Sequence, residues 1–249
     1  MGGYMRTASK SEKVETVFDH TEKYLGRREF DIRIRLETVL DFTKDRRYDQ
    51  VLDIGCGNGA LSLPLLSNCR KLTMLDLSRN MLELARKNLS PQHSGEVEMV
   101  QGDFMDAEFD PESFNLILCI GVLAHVDSPS AVIEKIARIA KPGSCVILEM
   151  TDNFHFWGWH VVAYQNLLKL VRPEPYPLNC LKRRWVLEML KENGLVVQDQ
   201  YRYGIPPPGT SLFLGQDKMY RATRYLFGST EGNRNRRMGN EYIYLLRKA

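Results

Sequence analysis

The sequence predicts an α/β fold in which a mostly parallel sheet is covered by helices on both faces. Between residues 51 and 150, short apolar segments alternate with segments that have helical periodicity. Such alternation indicates parallel strands joined by crossover helices. A glycine-rich segment, Asp53-Ile54-Gly55-Cys56-Gly57-Asn58-Gly59, directly follows the first apolar run. Glycines at that place let the backbone turn sharply and approach a ligand, which is typical of binding loops in this fold class.

Composition limits the function and the cellular location. At 249 residues the chain is long enough for one large α/β domain with a sizeable core. A net charge of +3 is too small to indicate a nucleic-acid partner. Residues 1–10 have no apolar signal-peptide core, and no apolar run reaches membrane-spanning length. We therefore expect a cytoplasmic protein without a membrane span, whose oligomeric state, monomer or homodimer, stays open.

The cysteines indicate a reducing compartment. Their number, five, is odd and their spacing fits no disulfide framework. Cys56, Cys119 and Cys145 lie in apolar strand or loop contexts, and we interpret them as small core residues rather than nucleophiles.

Two helices are expected before the first strand. Ser11–Tyr24 and Arg27–Phe42 both carry apolar residues at helical spacing. Because they precede the sheet, they must pack outside it or over its ligand edge.

The first half of the sheet follows in order. Val51–Ile54 is short, apolar and ends at glycine, so it predicts a buried strand. The glycine loop is expected to end at the N-terminus of a helix, Ala60–Leu66. Strand Leu72–Leu75 and helix Arg79–Asn88 form the next pair. Parallel strands place the ligand beyond their carboxyl ends.

The remaining elements alternate less regularly. Lys141-Pro142-Gly143 is expected to end the helix that precedes the fifth strand. The segment Asp152–Leu170 is unusually aromatic, and a proline-rich connector follows it. The expected elements are strand Val97–Gln101, acidic loop Asp103–Glu112, strand Leu116–Ile120, helix Ser130–Ala140, strand Ser144–Met150, helix Leu181–Asn193, strand Leu195–Tyr203, an irregular insert over Gly204–Gly239 and strand Glu241–Leu246.

Four motifs together resemble the class I S-adenosylmethionine-dependent methyltransferases of the small-molecule type. They are the glycine-rich segment above, Leu75-Asp76-Leu77-Ser78 with Met81-Leu82, Gly102-Asp103-Phe104, and Gly121-Val122-Leu123-Ala124-His125-Val126. Their order and spacing match the family over roughly residues 50–150. The resemblance implies a Rossmann-like fold with an antiparallel last strand.

The resemblance also implies one methyltransferase domain over residues 1–249. Residues 50–150 would form the cofactor-binding core and residues 11–45 the N-terminal lid helices. The segments 151–180 and 204–239 would be inserts on the acceptor side.

The resemblance implies S-adenosylmethionine as the cofactor. The backbone around Gly55 and Gly57 would meet its amino acid end, with Asp53 supporting the ammonium group. Asp76 would accept hydrogen bonds from both ribose hydroxyls, since a carboxylate suits two donors. The alternative for Asp76 is an N-cap of the following helix.

The adenine side is assigned in the same way. Leu77, Met81 and Phe104 would enclose the adenine ring, although Met81 would equally suit a helix core. Asp103 would accept the adenine amino group, and its alternative is a solvated turn residue. Ile120 would lend its backbone to the methionyl part.

Two histidines are candidate catalytic residues. His125 in the related sequences more often holds its loop or lines the cofactor's edge, and the alternative is a general base. His155 lies in the aromatic insert, where a histidine could take a proton from an acceptor, although an exposed or packed lid histidine is the favoured interpretation.

The N-terminal helices and both inserts are expected to converge as a lid over the carboxyl ends of the strands. Phe18 and Tyr24 would close on the methionyl end of the cofactor. Phe154 and Trp157, with His155, would shape the acceptor side.

A basic cluster, Arg234-Asn235-Arg236-Arg237, lies in the second insert. Arg234 and Arg237 could recognise a phosphate or carboxylate on the acceptor, since the arginine fork suits such groups. A solvated loop is the more common interpretation of such a cluster.

No metal is expected. Asp152-Asn153 is similar to the Asp-Asn pair of metal-dependent catechol-type methyltransferases. That family needs another aspartate after the fourth strand, where this chain has Gly121-Val122-Leu123.

The predicted function is methyl transfer by in-line displacement to an oxygen or nitrogen atom of a small-molecule acceptor, in a natural-product or glycan pathway. The alternatives are an NAD-dependent oxidoreductase and a non-catalytic subunit that binds S-adenosylmethionine.

Overall fold

The computed structural model describes residues 10–18, 21–152, 178–179, 181–204 and 214–249, with backbone alone for residues 21–28. The strands are β1 Tyr48–Ile54, β2 Cys69–Asp76, β3 Val97–Gln101, β4 Phe114–Cys119, β5 Ala140–Thr151, β6 Leu195–Tyr203 and β7 Glu241–Lys248. The α-helices are α1 Lys10–Phe18, α2 Thr21–Thr43, α3 Arg79–Asn88, α4 Pro129–Ile139, α5 Arg183–Glu192 and α6 Gln216–Phe227. Short 3-10 helices span Leu63–Ser67, Pro91–His93 and Arg236–Met238.

The sheet has seven strands in the order β3-β2-β1-β4-β5-β7-β6. Strands β1 to β5 pair in parallel, and β7 is antiparallel to both β5 and β6. The fold prediction is therefore confirmed. The strand order reverses between β1 and β4, and ligands bind at such a switch point in open α/β sheets.

The core lies on both faces of the sheet because successive side chains of a buried strand point to opposite faces. In β4, Ile117 packs with helix α4 residues on one face, whereas Leu116 and Leu118 join the core on the other. The expectation that Cys56, Cys119 and Cys145 are buried is confirmed.

Serine caps fix the starts of two helices. The Ser78 hydroxyl accepts from the backbone N–H of Met81 at the start of α3, and the Ser128 hydroxyl accepts from Ala131 at the start of α4. Such caps satisfy one of the unpaired N–H groups of the first turn. Helix α3 therefore begins directly after the carboxyl end of β2.

The predicted helix Ala60–Leu66 is wrong. The glycine loop is followed by a turn and a five-residue 3-10 helix, Leu63–Ser67. Only a short span separates the loop from β2 at Cys69, and Pro64 has no N–H to donate to a regular helix. The loop therefore does not lead into the N-terminus of a long helix.

The description of 204–239 as an irregular insert is also wrong, because it contains α6. The buried residues Met219, Thr223 and Phe227 lie four residues apart on one helix face. That spacing in the sequence indicates a helix. The boundary between the two N-terminal helices lies earlier than predicted. Helix α1 ends at Phe18, and Tyr24 belongs to α2.

The helix predicted over Ser130–Ala140 is α4, Pro129–Ile139, so each end shifts by one residue. Helix α4 ends at Ile139, and Lys141-Pro142-Gly143 already lie in the long strand β5.

A buried polar cluster joins α2 to the sheet beside the carboxyl end of β5. Arg35 from α2 donates through Nε to Glu149 Oε1 at 2.9 Å, and its Nη2 lies 2.7 Å from Glu149 Oε2. The Tyr203 hydroxyl donates to Asp31 Oδ1 at 2.5 Å. All four residues are at most 9% exposed. The cluster thus fixes α2 over the ligand edge of the sheet.

Glu241 in β7 adds a further buried carboxyl to this region. The Thr151 hydroxyl donates to its Oε2 at 2.9 Å. Burial, followed by the negative charges of Glu149 and Asp31, raises the pKa of Glu241 to about 8. This carboxyl is therefore protonated in the folded protein at neutral pH.

We expect Glu241 to make stability fall with rising pH. Between about pH 4.5 and pH 8 the folded state holds a proton on Glu241 that the unfolded chain has lost, so the free energy of unfolding decreases. In urea unfolding, the free energy of unfolding of Glu241→Gln should equal that of wild type at pH 5 and be larger than that of wild type at pH 8.5. Glu231→Gln, an exposed carboxylate, is the control. An unchanged pH slope in Glu241→Gln would contradict the assignment.

Candidate active site

A cavity lies at the carboxyl ends of β1, β2 and β4, at the switch point of the sheet. Its volume is about 1090 Å³ including its open mouth. Helix α1 covers it with Ser11, Val14, Glu15 and Phe18. The floor and walls come from the loops that follow the three strands.

The glycine loop after β1 forms one wall. A Cβ on Gly55, whose φ is +68°, would lie 2.7 Å from a methyl carbon of Val122. Gly57, with φ +54°, faces open space and donates its N–H to Asp76 Oδ2 at 2.7 Å. A side chain at Gly55 would therefore push apart two cavity walls, and the bare backbone at Gly57 leaves room for a ligand.

Asp76 lies at the end of β2 on the cavity wall and is 9% exposed. Its Oδ1 accepts from the Ser78 N–H at 2.9 Å. The helix cap is the Ser78 side chain, so the N-cap alternative for Asp76 does not hold. Two backbone donors hold the carboxylate in place, and a carboxylate accepts about four hydrogen bonds.

The adenine-side residues lie together. Leu77, Met81, Asp103 and Phe104 all line the cavity. Met81 is 1% exposed, so it serves both as helix core and as cavity wall. Asp103 accepts from the N–H of Met105 at 2.8 Å, which makes it a turn residue that also faces the site.

Asp53 lies differently from the expectation. It is 2% exposed and does not line the cavity, and its Oδ2 has no hydrogen-bond partner within the described part of the chain. Burial raises its pKa to about 7; the Ser62 hydroxyl opposes this shift, and the charge of Asp76 adds to it. Asp53 therefore sits beneath the glycine loop, and its role towards an ammonium group stays a prediction.

His125 and Ile120 line the cavity from the loop after β4. The backbone N–H of His125 donates to Val122 at 2.8 Å, and its ring meets the Phe18 ring edge-on at 5.4 Å between centroids. These contacts favour the interpretation in which His125 holds the loop and lines the site. The choice between this role and a general base stays open.

The loop that carries His125 is tied to two other segments. Asn179 donates its backbone N–H to Ala124 at 2.8 Å and its side-chain Nδ2 to Leu123 and Val126. Lys10 of α1 donates to the Val126 carbonyl at 2.8 Å. The start of α1 is thus joined directly to the loop that carries His125.

Some predicted site residues are not brought to the cavity. Arg234 and Arg237 are exposed, do not line it and belong to the segment beside the outer edge of β6. Their role stays a prediction. His155, Phe154 and Trp157 lie outside the described residues, and so does the side chain of Tyr24.

Arg35 and Ser11 are among the cavity residues that sequence reasoning missed. Arg35 lines the cavity from α2, and Ser11 donates its hydroxyl to Asp103 Oδ2 at 2.6 Å from α1. Arg35 stands four residues after Asp31, an i,i+4 pair on the helix face that also carries Ile34. An ion pair on an apolar helix face was a signal for a buried site.

Within the described ranges, no group of three or more histidine, cysteine, aspartate or glutamate side chains could hold a metal ion. Among the helices of the described residues, none is long and apolar enough to span a bilayer.

The sequence and the fold are similar to those of known proteins. Residues 52–148 match the family model of a methyltransferase domain. The chain is 31% identical over 140 residues to the ubiquinone biosynthesis O-methyltransferase of Vibrio atlanticus (strain LGP32). This match covers 55% of the chain and 59% of that relative's length.

Two solved structures share the fold at low identity. A methyltransferase of Thermotoga maritima, described as a possible histamine N-methyltransferase, aligns with a TM-score of 0.67 at 16% identity over 97% of this chain and 100% of its own. The magnesium protoporphyrin IX methyltransferase of Synechocystis, crystallised with S-adenosylhomocysteine (SAH), gives 0.67 at 15% over 97% and 100%. Residues 52–148 therefore match a methyltransferase domain in sequence, and the chain shares the fold of these solved methyltransferases.

Proposed function

We propose that the protein transfers the methyl group of S-adenosylmethionine to an oxygen atom of a small-molecule acceptor. The observation that carries the proposal is the single cavity that gathers Gly55, Gly57, Asp76, Asp103 and Phe104. The name of the Vibrio relative, an O-methyltransferase of ubiquinone biosynthesis, supports oxygen as the acceptor atom.

The residues present fit the cofactor. The open space at Gly57 admits its amino acid end, and the carboxylate of Asp76, held by two backbone N–H groups, suits a ribose diol. The apolar side chains of Met81 and Phe104 suit an aromatic base. When bound, the cofactor supplies an electrophilic methyl group on a sulfonium centre.

The chain's own contribution is alignment and exclusion of water. Phe18 and Val14 of α1 cover the cavity, and Val122 and Val126 also line it. An acceptor held there would face the methyl group across a mostly apolar site, where positioning accounts for much of the rate. The apolar walls favour an acceptor with an apolar body.

The proposal includes helix α1 as a lid over the cavity. Helix α1 covers the cavity, its polar contacts include those of Lys10 and Ser11, and none of its residues belongs to the two core clusters of the described residues. Such an element owes little to the main core and opens at low free energy.

The arrangement favours methyl transfer over the oxidoreductase alternative. A dinucleotide site places its pyrophosphate at the N-terminus of the helix after the glycine loop. Here a turn and the short 3-10 helix Leu63–Ser67 follow the loop. The features of a pyrophosphate site are therefore missing from this described segment.

The test is an assay with methyl-labelled S-adenosylmethionine and a panel of phenols, alcohols and amines. Label transferred to a hydroxyl acceptor, with SAH released in equal amount, is the expected result. Transfer to amines alone would overturn the oxygen assignment. Saturable micromolar NADH binding without SAH binding would instead favour the oxidoreductase. SAH binding without turnover of any acceptor would favour the non-catalytic subunit.

A further inference from the structure

A lysine outside the cavity organises the loop on which the adenine side depends. Residues 103–107, here the adenine-side loop, follow β3 and supply Asp103 and Phe104 to the cavity wall. Nζ of Lys135 in α4 donates to three carbonyl oxygens of this loop: Phe104 at 2.5 Å, Met105 at 3.0 Å and Ala107 at 2.5 Å.

Backbone hydrogen bonds within the loop close its turn. The N–H groups of Asp106 and Ala107 both donate to the carbonyl of Asp103, which closes the turn and directs the later carbonyls to one side. An ammonium group has three donors and no acceptor, so it can satisfy all three carbonyls at once. The Lys135 cation also lies 4.9 Å from the centroid of the Phe104 ring.

Lys135 itself stands on a rigid support. Its neighbours Val132, Ile133 and Ile136 in α4 are fully buried in the core of the sheet. Helix α4 therefore holds the ammonium group at a fixed place, and the loop is arranged around it.

We propose that Lys135 is a positioning residue that sets the adenine-side loop so that Asp103 and Phe104 recognise the adenine of the cofactor. The inference rests on the proposed function. Lys135 does not line the cavity, so it acts through the loop. Its loss leaves three carbonyls without a strong donor and lets Asp103 move from the place where it meets the exocyclic amino group.

The proposal predicts a loss of discrimination as well as of affinity. S-inosylhomocysteine has a carbonyl group where SAH has the adenine amino group, so the ratio of the two affinities reports on this end of the site. Lys135→Met should weaken SAH binding on the order of tenfold and bring the two affinities within about threefold of each other. Lys135→Arg should bind SAH more tightly than Lys135→Met but less tightly than wild type. A planar guanidinium fork cannot donate to three carbonyls that converge on one point as a compact ammonium group does.

The experiment is isothermal calorimetry with both ligands on wild type, Lys135→Met, Lys135→Arg and Arg138→Met, below the unfolding transition of each. Arg138 is exposed on the same helix, and its guanidinium donates to the Phe109 carbonyl over a long distance of 3.5 Å, so it is the matched control. Wild type that fails to bind SAH would refute the proposed function itself. Wild type that binds SAH, with Lys135→Met either unchanged or weakened equally for both ligands, would overturn the role of Lys135 alone.

Discussion

Replacing Asp76 with alanine should weaken SAH binding by about 1.5–3 kcal/mol, which is roughly 10- to 150-fold in Kd. The carboxylate lies on the cavity wall, and the N–H groups of Gly57 and Ser78 hold it in place. The variant loses the acceptor for the ribose hydroxyls and also the link that joins the glycine loop to β2. Calorimetry with SAH measures both effects together.

Two further variants serve as comparisons for Asp76→Ala. Asp110→Ala removes an exposed carboxylate from the loop before β4 and should leave the affinity unchanged. Asp76→Asn keeps one oxygen acceptor and should fall between wild type and Asp76→Ala. An Asp76→Ala protein that melts like wild type and binds SAH with wild-type affinity would refute the ribose assignment.

Replacing Arg35 with methionine should destabilise the fold by about 3–5 kcal/mol, the usual cost of removing one partner of a buried ion pair. Its side chain is 11% exposed and the Glu149 side chain 2%. The variant leaves the Glu149 carboxylate uncompensated beside Asp31. Urea unfolding, followed by circular dichroism, measures the change in the free energy of unfolding.

The pH dependence and a double variant test the electrostatic origin of this loss. Burial raises the pKa of Glu149, and Arg35 opposes that shift. Without Arg35 the pKa rises further, so the deficit of the variant should narrow as pH falls and Glu149 becomes protonated. Adding Glu149→Gln should restore part of the stability.

Arg184→Met is the matched control for Arg35→Met. Arg184 is 91% exposed and pairs with Glu188 one helical turn away, so its loss should cost less than about 0.5 kcal/mol. A deficit in Arg35→Met as small as that of the control would show that the buried pair contributes little.

Segments with strong local signals were predicted well. Strand β1 ends at Ile54, helix α3 spans Arg79–Asn88 and β3 spans Val97–Gln101, as their patterns indicate. Each has a period or a cap that is set by neighbours in the chain. The segment Ala60–Leu66 failed because apolar content alone does not specify a helix where the span is short.

The site could be predicted only in part, for a comparable reason. The backbone geometry of Gly55 and the place of Asp76 at a strand end follow from local sequence. The side-chain partners of the site loops do not, because Ser11 meets Asp103 across 92 positions and Lys135 meets Phe104 across 31. No pattern in one sequence specifies such distant pairs.

By itself, the sequence determined the sheet, its glycine loop and the match to a methyltransferase domain, because the period of the strands and the glycine loop are local properties of the chain. Only the tertiary structure decided that Asp53 lies beneath the loop rather than in the cavity and that Arg35 joins its wall. The physical reason is that burial and charge pairing depend on which distant segments pack together, and Arg35 is held in its buried place by Asp31 and Glu149.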